Sequence, residues 1–152
     1  MIMSKILEVL NRIAELSPEA IKPGVKNEQI EEYLHYYYDS NFKLSEEFYQ
    51  FYQFSDGLDS NFRQIFNLKG AIEMYSEVIN EFGYYSAWLP ISGYDEEIFV
   101  IRGDSLQSKT APIIQMNYID LQDIGDGGPR VVYLSLTEML IDIADSTEYP
   151  YG

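Results

Sequence analysis

A serine hydroxyl becomes a nucleophile when a neighbouring base takes its proton, and that base is usually a histidine oriented by a carboxylate. Ser105 stands in Gly103-Asp104-Ser105-Leu106, four letters that also surround the nucleophile of one group of serine esterases. Those enzymes carry the motif early, after a first strand, with the base near the C-terminus. Here the motif lies two-thirds along the chain and no histidine follows it. The one histidine, His35, precedes it on a tyrosine-rich segment. Gly103–Leu106 is therefore expected to be a polar turn after a strand.

Metal chemistry has equally little to stand on. His35 has Glu31 at i−4 on the same helical face, which makes a surface pair but not a ligand set. Asp120, Asp123 and Asp126, with Gly125 and Gly127, are calcium-binding residue types. They stand three apart and lack the closing glutamate of an EF-hand loop, so a solvated acidic loop is expected. Tyr36–Tyr38 and Tyr84-Tyr85 could stack on bases, but single-strand binders also need a basic groove. Gly125-Asp-Gly-Gly128 precedes Pro129 and lacks the lysine of a phosphate-cradling loop. No carboxylate pair stands out as an acid/base couple. No catalytic residue, metal or cofactor is assigned, and the chain is expected not to be an enzyme.

Charge narrows the partners. Ten Lys+Arg against 25 Asp+Glu leave a net charge of −15 on 152 residues. Phosphate backbones and anionic membrane surfaces repel such a chain, so neither nucleic acid nor membrane is expected as a partner. A basic protein would be drawn to it, and quickly. Hydrophobic residues at 46% and aromatic residues at 15% are enough for a sizeable core, and the length suits a single domain over 1–152. Cysteine is absent, which fits a reducing compartment. The N-terminal run lacks the uninterrupted apolar stretch and cleavage site of a signal peptide, and no window offers the ~20 apolar residues of a membrane span. A cytoplasmic protein is expected.

The elements that must position any site follow from periodicity. Ser4 to Leu16 reads as a helix with Ile6, Leu10 and Ile13 on its buried face, flanked by Leu7 and Ala14, and stopped by Ser17-Pro18. Ile21-Lys-Pro-Gly24 reads as a turn. A second helix starts near Asn27, with Ile30, Tyr33, Leu34 and Tyr37 at helical spacing. Ser45 caps a third, burying Leu44, Phe48, Phe51 and Tyr52, and Asp56-Gly57 ends it. Phe62–Phe66 reads as a strand and Lys69–Phe82 as a fourth helix through Ile72, Tyr75, Ile79 and Phe82, closed by Gly83. The period then changes. Ala87–Ile91 and Glu97–Ile101 suggest a hairpin, and Ile113–Met116 and Val131–Leu134 are further strands, the last preceded by the turn cluster Gly125–Pro129. Ser135-Leu-Thr-Glu138 is a capping box opening a final helix on Leu136, Met139, Leu140 and Ile143. Trp88, in an apolar run, is expected to be largely buried. Helices, then a meander of strands, then a closing helix give an α+β domain.

The order of these features resembles the SUKH superfamily, in the branch of the fungal cell-wall-assembly regulators and many bacterial immunity proteins. Pro23-Gly24 is followed by the acidic, apolar-striped helix of Glu28-Gln-Ile30. Leu44-Ser-Glu-Glu-Phe48-Tyr-Gln-Phe51 then leads into Ser55-Asp56-Gly57, and Trp88-Leu-Pro-Ile91 precedes Glu96-Glu97-Ile98-Phe99-Val100. The likeness spans about 21–144. Ser45 replaces the usual proline, Asp56-Gly57 the usual Asn-Gly or Gly-Gly, and the acidic Tyr94–Glu97 the usual glycine-rich turn. The resemblance implies a single domain with a curved, mainly antiparallel sheet flanked by helices, and no catalytic residues. It also implies an immunity protein, which binds and blocks a cognate toxin, often a nuclease or deaminase. A protein-interaction scaffold without a toxin partner is the alternative.

Two acidic turns are the expected partner surface. Unpaired carboxylates are too costly to bury, and loops between strands are where binding residues gather. Tyr94 and Tyr118 are the candidate aromatic anchors. Asp95, Glu96, Glu97, Asp120, Asp123 and Asp126 are the candidate charges that steer a basic toxin domain.

Overall fold

Apolar residues at helical spacing and a Ser-Pro stop define α1 (Lys5–Leu16), which buries Ile6, Val9, Leu10 and Ile13. Ser4 takes the N-cap position with extended backbone, but its hydroxyl makes no cap bond. The computed structural model describes residues 4–35, 43–82, 88–94, 97–117 and 129–150, without the side chains of 78–82, 94 and 117. A 3-10 turn over Pro18–Ala20 follows α1. α2 (Asn27–His35) buries Ile30 and Leu34. Tyr33, expected on that apolar face, is exposed at its border, and Tyr37 lies outside the described residues.

α3 (Glu46–Phe54) carries the expected cap: Ser45 Oγ accepts from the Phe48 amide at 3.4 Å. Leu44, Phe48, Phe51 and Tyr52 are all buried, and the Phe51 and Tyr52 rings meet edge to face at 4.8 Å. Gly24 lies against this helix. A Cβ there would sit 1.9 Å from the Gln53 carbonyl oxygen, so glycine is needed for close approach and not for a positive φ. Gly57, at φ +92°, does need that freedom.

Of the strand expected over Phe62–Phe66 only Gln64–Ile65 forms, and it pairs with a strand the sequence reading did not include. β1 (Leu58–Asp59) and β2 (Gln64–Ile65) pair antiparallel, because the chain reverses between them. α4 (Leu68–Phe82) follows. Its free N-terminal amides are taken up by Asp56 Oδ1, which accepts from Leu68 N at 2.8 Å, and by Asn67 Oδ1, which accepts from Gly70 N at 2.7 Å. Gly83, expected to close α4, lies outside the described residues, as do 125–128 of the expected turn cluster.

The main sheet joins β3 (Trp88–Tyr94), β4 (Glu97–Arg102), β5 (Ile113–Asn117) and β6 (Arg130–Tyr133) in the order β3-β4-β5-β6, antiparallel throughout. Its register shifts between Pro90 and Ser92 and between Ile113 and Ile114, irregularities that bend strands. β4 shows why its sequence is an unbroken apolar run: both faces are covered. Phe99 and Ile101 enter the main core with Leu89, Ile91 and Ile113, beneath α1, α3 and α5 (Leu136–Glu148). Ile98 and Val100 turn the other way and form a second cluster with Ile114 and Met116. Met74 of α4 and Trp88 pack at its margin. Trp88 is partly buried, since its strand position points it to the margin of the smaller cluster. The whole is one α+β domain.

One polar contact ties α3 to α5. The sequence predicts a reciprocal capping box, and half of it forms: Glu138 N donates to Ser135 Oγ at 3.1 Å. The Glu138 carboxylate instead accepts from Leu134 N at 2.9 Å. Glu47 of α3, itself buried, accepts from the Leu136 amide at 3.2 Å and from the Thr137 hydroxyl. A carboxylate from another helix thus caps α5, where the helix dipole favours negative charge.

Candidate functional site

The sheet register brings together two turns that stand apart in sequence. Tyr94 ends β3 opposite Glu97, the first residue of β4, and Glu97 lies opposite Asn117, the last residue of β5. Three successive strands therefore end in one row, spanning about 10 Å at ordinary strand spacing. The β3–β4 turn and the β5–β6 connection both leave the sheet from this row. Together, 94–97 and 117–129 hold six carboxylates and no lysine or arginine. Glu97 is exposed, at the rim where the apolar run of β4 ends. Tyr94 is placed by its backbone at the end of β3. Asp95, Glu96, Tyr118, Asp120, Asp123 and Asp126 lie outside the described residues. The nearest cation in sequence, Arg130, begins β6 and donates to Gln115 Oε1 at 3.2 Å, two residues inward from Asn117 along β5.

Behind this row lies a feature the sequence did not disclose. Arg63, in the β1–β2 loop, places its guanidinium 4.1 Å from the Phe99 ring centre and 5.4 Å from that of Phe62. Its buried Nε has no hydrogen-bond partner among the described residues. Tyr133 of β6 lies in the same region and donates to Asp142 Oδ2 of α5 at 2.5 Å. Burial and the Asp142 carboxylate push the Tyr133 phenol up to about 12, while Arg63 acts in the opposite direction. Nothing in the spacing of Arg63 signals this stack, because its ring partner is 36 positions away.

The other candidates serve structural ends. Gly103 is buried, and Asp104 forms a two-way backbone bridge with Lys43 at 2.6 and 3.0 Å. The turn thereby fastens the end of β4 to the chain entering α3, and Ser105 is exposed upon it. His35 is exposed at the end of α2. Among the described residues, no group of three or more His, Cys, Asp or Glu is placed to hold a metal ion. A cleft of about 580 Å³ lies beside β1, β2 and the start of α4. Its polar side chains are engaged: Asp56 and Asn67 cap α4, and Gln64 donates to Asp59 at 2.9 Å. An open groove of about 380 Å³ between α2 and α3 holds Glu31, Glu46, Tyr49 and Gln50. Burial and the nearby Glu31 carboxylate raise the Tyr49 phenol well above its ordinary range. Neither cavity pairs a nucleophile with a base.

No helix among the described residues is long and apolar enough to cross a membrane. No protein-family model matches the chain, and no curated protein matches it.

Proposed function

We propose that this chain is a non-enzymatic immunity protein that binds a basic toxin domain and blocks it in the cytoplasm of the producing cell. The observation that carries this reading is the convergence of two cation-free acidic turns on one row of strand ends, Tyr94, Glu97 and Asn117, in a chain of net charge −15. Toxins that cut nucleic acid hold phosphates with lysine and arginine, so their substrate grooves are basic. An acidic surface complements such a groove and gains association rate from the opposing fields. Tyr94 and Tyr118, at the roots of the two turns, would supply aromatic anchors between the charges. The resemblance to the SUKH superfamily points the same way.

Co-expression with the product of an adjoining gene tests this. Relief of that product's toxicity, with co-elution of the purified pair, is the expected result. A stable complex with a partner that harms no cell would favour the scaffold reading instead.

A further inference from the structure

A partner seated on the acidic end would also meet the edge of the sheet. The two edges differ. β3 is shielded by β2: Phe66 N donates to the Ile91 carbonyl at 2.7 Å, and Ser92 Oγ to the Gln64 carbonyl. Among the described residues, β6 is the last strand in the order and is paired on one side only, with β5. Alternate residues of an antiparallel strand turn their N–H and C=O groups away from the neighbour, so an unpaired edge offers a row of them. Among the described residues, the further backbone bond at this strand is at its end, from Leu134 N to Glu138.

The side chains along β6 are unusual for a solvent edge. Val131 is 53% exposed and Leu134 just beyond the strand is 71% exposed. Arg130 is exposed as well. The strand begins directly after the acidic connection 117–129. Exposed apolar side chains and ladder groups unpaired among the described residues therefore lie along one strand, which follows an acidic stretch of sequence.

We propose that β6 is the acceptor edge for an extended basic segment of the protein partner, which adds to the sheet as a further strand. Main-chain hydrogen bonds would bind the segment, Val131 and Leu134 would contact its apolar side chains, and the net charge of −15 on this chain would favour lysines and arginines in it. This rests on the reading that the partner is a basic protein. A second copy of this chain is a poor occupant, because each copy carries −15. Pro129 and the register shift opposite Ile113 and Ile114 shorten the edge, which limits pairing between copies further.

Amide hydrogen exchange, read by NMR on the full chain, tests the proposal with two short peptides of equal charge. One alternates lysine with valine; the other alternates lysine with proline, which lacks the N–H groups a ladder needs. The lysine–valine peptide is expected to slow exchange at alternate amides of β6 and to bind at least ~10-fold tighter than the lysine–proline peptide. Val131→Lys, which leaves the core untouched, should remove that preference. Equal binding of the two peptides, with changes confined to 94–97 and 117–129, would overturn strand addition and leave the charge-based reading intact. Binding of neither at low salt would count against both. A Val131-dependent dimer seen by sedimentation would show that a second copy occupies the edge, and would equally overturn the proposal.

Discussion

Glu47 offers a sharp test of how the fold is held. Its carboxylate is buried, yet it accepts from the Leu136 amide and the Thr137 hydroxyl at the start of α5. Burial raises its pKa, and the Thr137 hydroxyl with the Thr137 and Leu136 amides oppose that rise. Glu47→Ala would strand one amide and one hydroxyl, at about 1–3 kcal/mol each, partly relieved by entering water. A net loss of about 2–4 kcal/mol follows, or roughly 5–15 °C in Tm for a chain of this size. Glu47→Gln keeps an oxygen for Leu136 and offers an amide to the Thr137 hydroxyl, while removing a buried charge. It should fall within about 1 kcal/mol of the parent. The pH dependence has a definite sign. Because the folded pKa is raised above the unfolded value, the native state binds the extra proton in the interval between them, so the Glu47 contribution declines as pH rises through the folded pKa. Glu47→Gln lacks this decline, so it should gain on the parent as pH rises from the acidic side toward neutrality. Urea unfolding of the three proteins at two pH values measures all of this. If Glu47→Gln lost as much as Glu47→Ala at neutral pH, the charge itself would be indispensable and the reasoning from desolvation would be wrong.

Three further outcomes follow from the packing. Gly57→Ala should destabilise by about 1–3 kcal/mol in urea unfolding, since φ is +92° and a Cβ would lie 2.8 Å from Asn67 N. Trp88→Ala should lower stability by about 1.5–2.5 kcal/mol, below the ~3–5 kcal/mol of a fully buried tryptophan, because the ring lies at the margin of the smaller cluster. Turnover of an activated ester should be undetectable and unaffected by Ser105→Ala, because Ser105 is an exposed residue of a structural turn; ester hydrolysis lost in that variant would reverse the assignment.

The helices and the strand meander were legible because one-sided burial writes a period into the sequence. Phe48, Phe51 and Tyr52 face one core, and the periodicity of α3 says so. Where burial is two-sided the signal fades: the run 98–101 reads as a strand, but nothing in it says that Ile98 and Val100 serve a different cluster from Phe99 and Ile101. Long-range polar contacts were also invisible. Glu47 reads as an ordinary first-turn acid, and its cap on α5 lies 89 positions away. Gly24 and Gly57 look alike in sequence and answer to different causes, a carbonyl in one case and a positive φ in the other. For the candidate site, composition named the acidic turns. Their alignment at one end of the sheet required the register of Glu97 with Tyr94 and Asn117, and the free edge at β6 required the strand order.

The central claim is that the acidic end steers a basic partner. Stopped-flow association of the proposed basic partner, with the parent and with Asp95→Lys/Glu96→Lys/Glu97→Lys, tests it most directly. The substitutions move these three positions from −3 to +3. Against one partner charge about 10 Å away in water, that change is worth about 2.5 kcal/mol unscreened, and roughly a third of that at physiological salt. The association rate should fall by tens-fold at low salt and by about three- to four-fold at physiological salt, with a smaller change in dissociation. An association rate unchanged at low salt, in a variant whose fold is intact, would contradict the account and place the binding surface elsewhere.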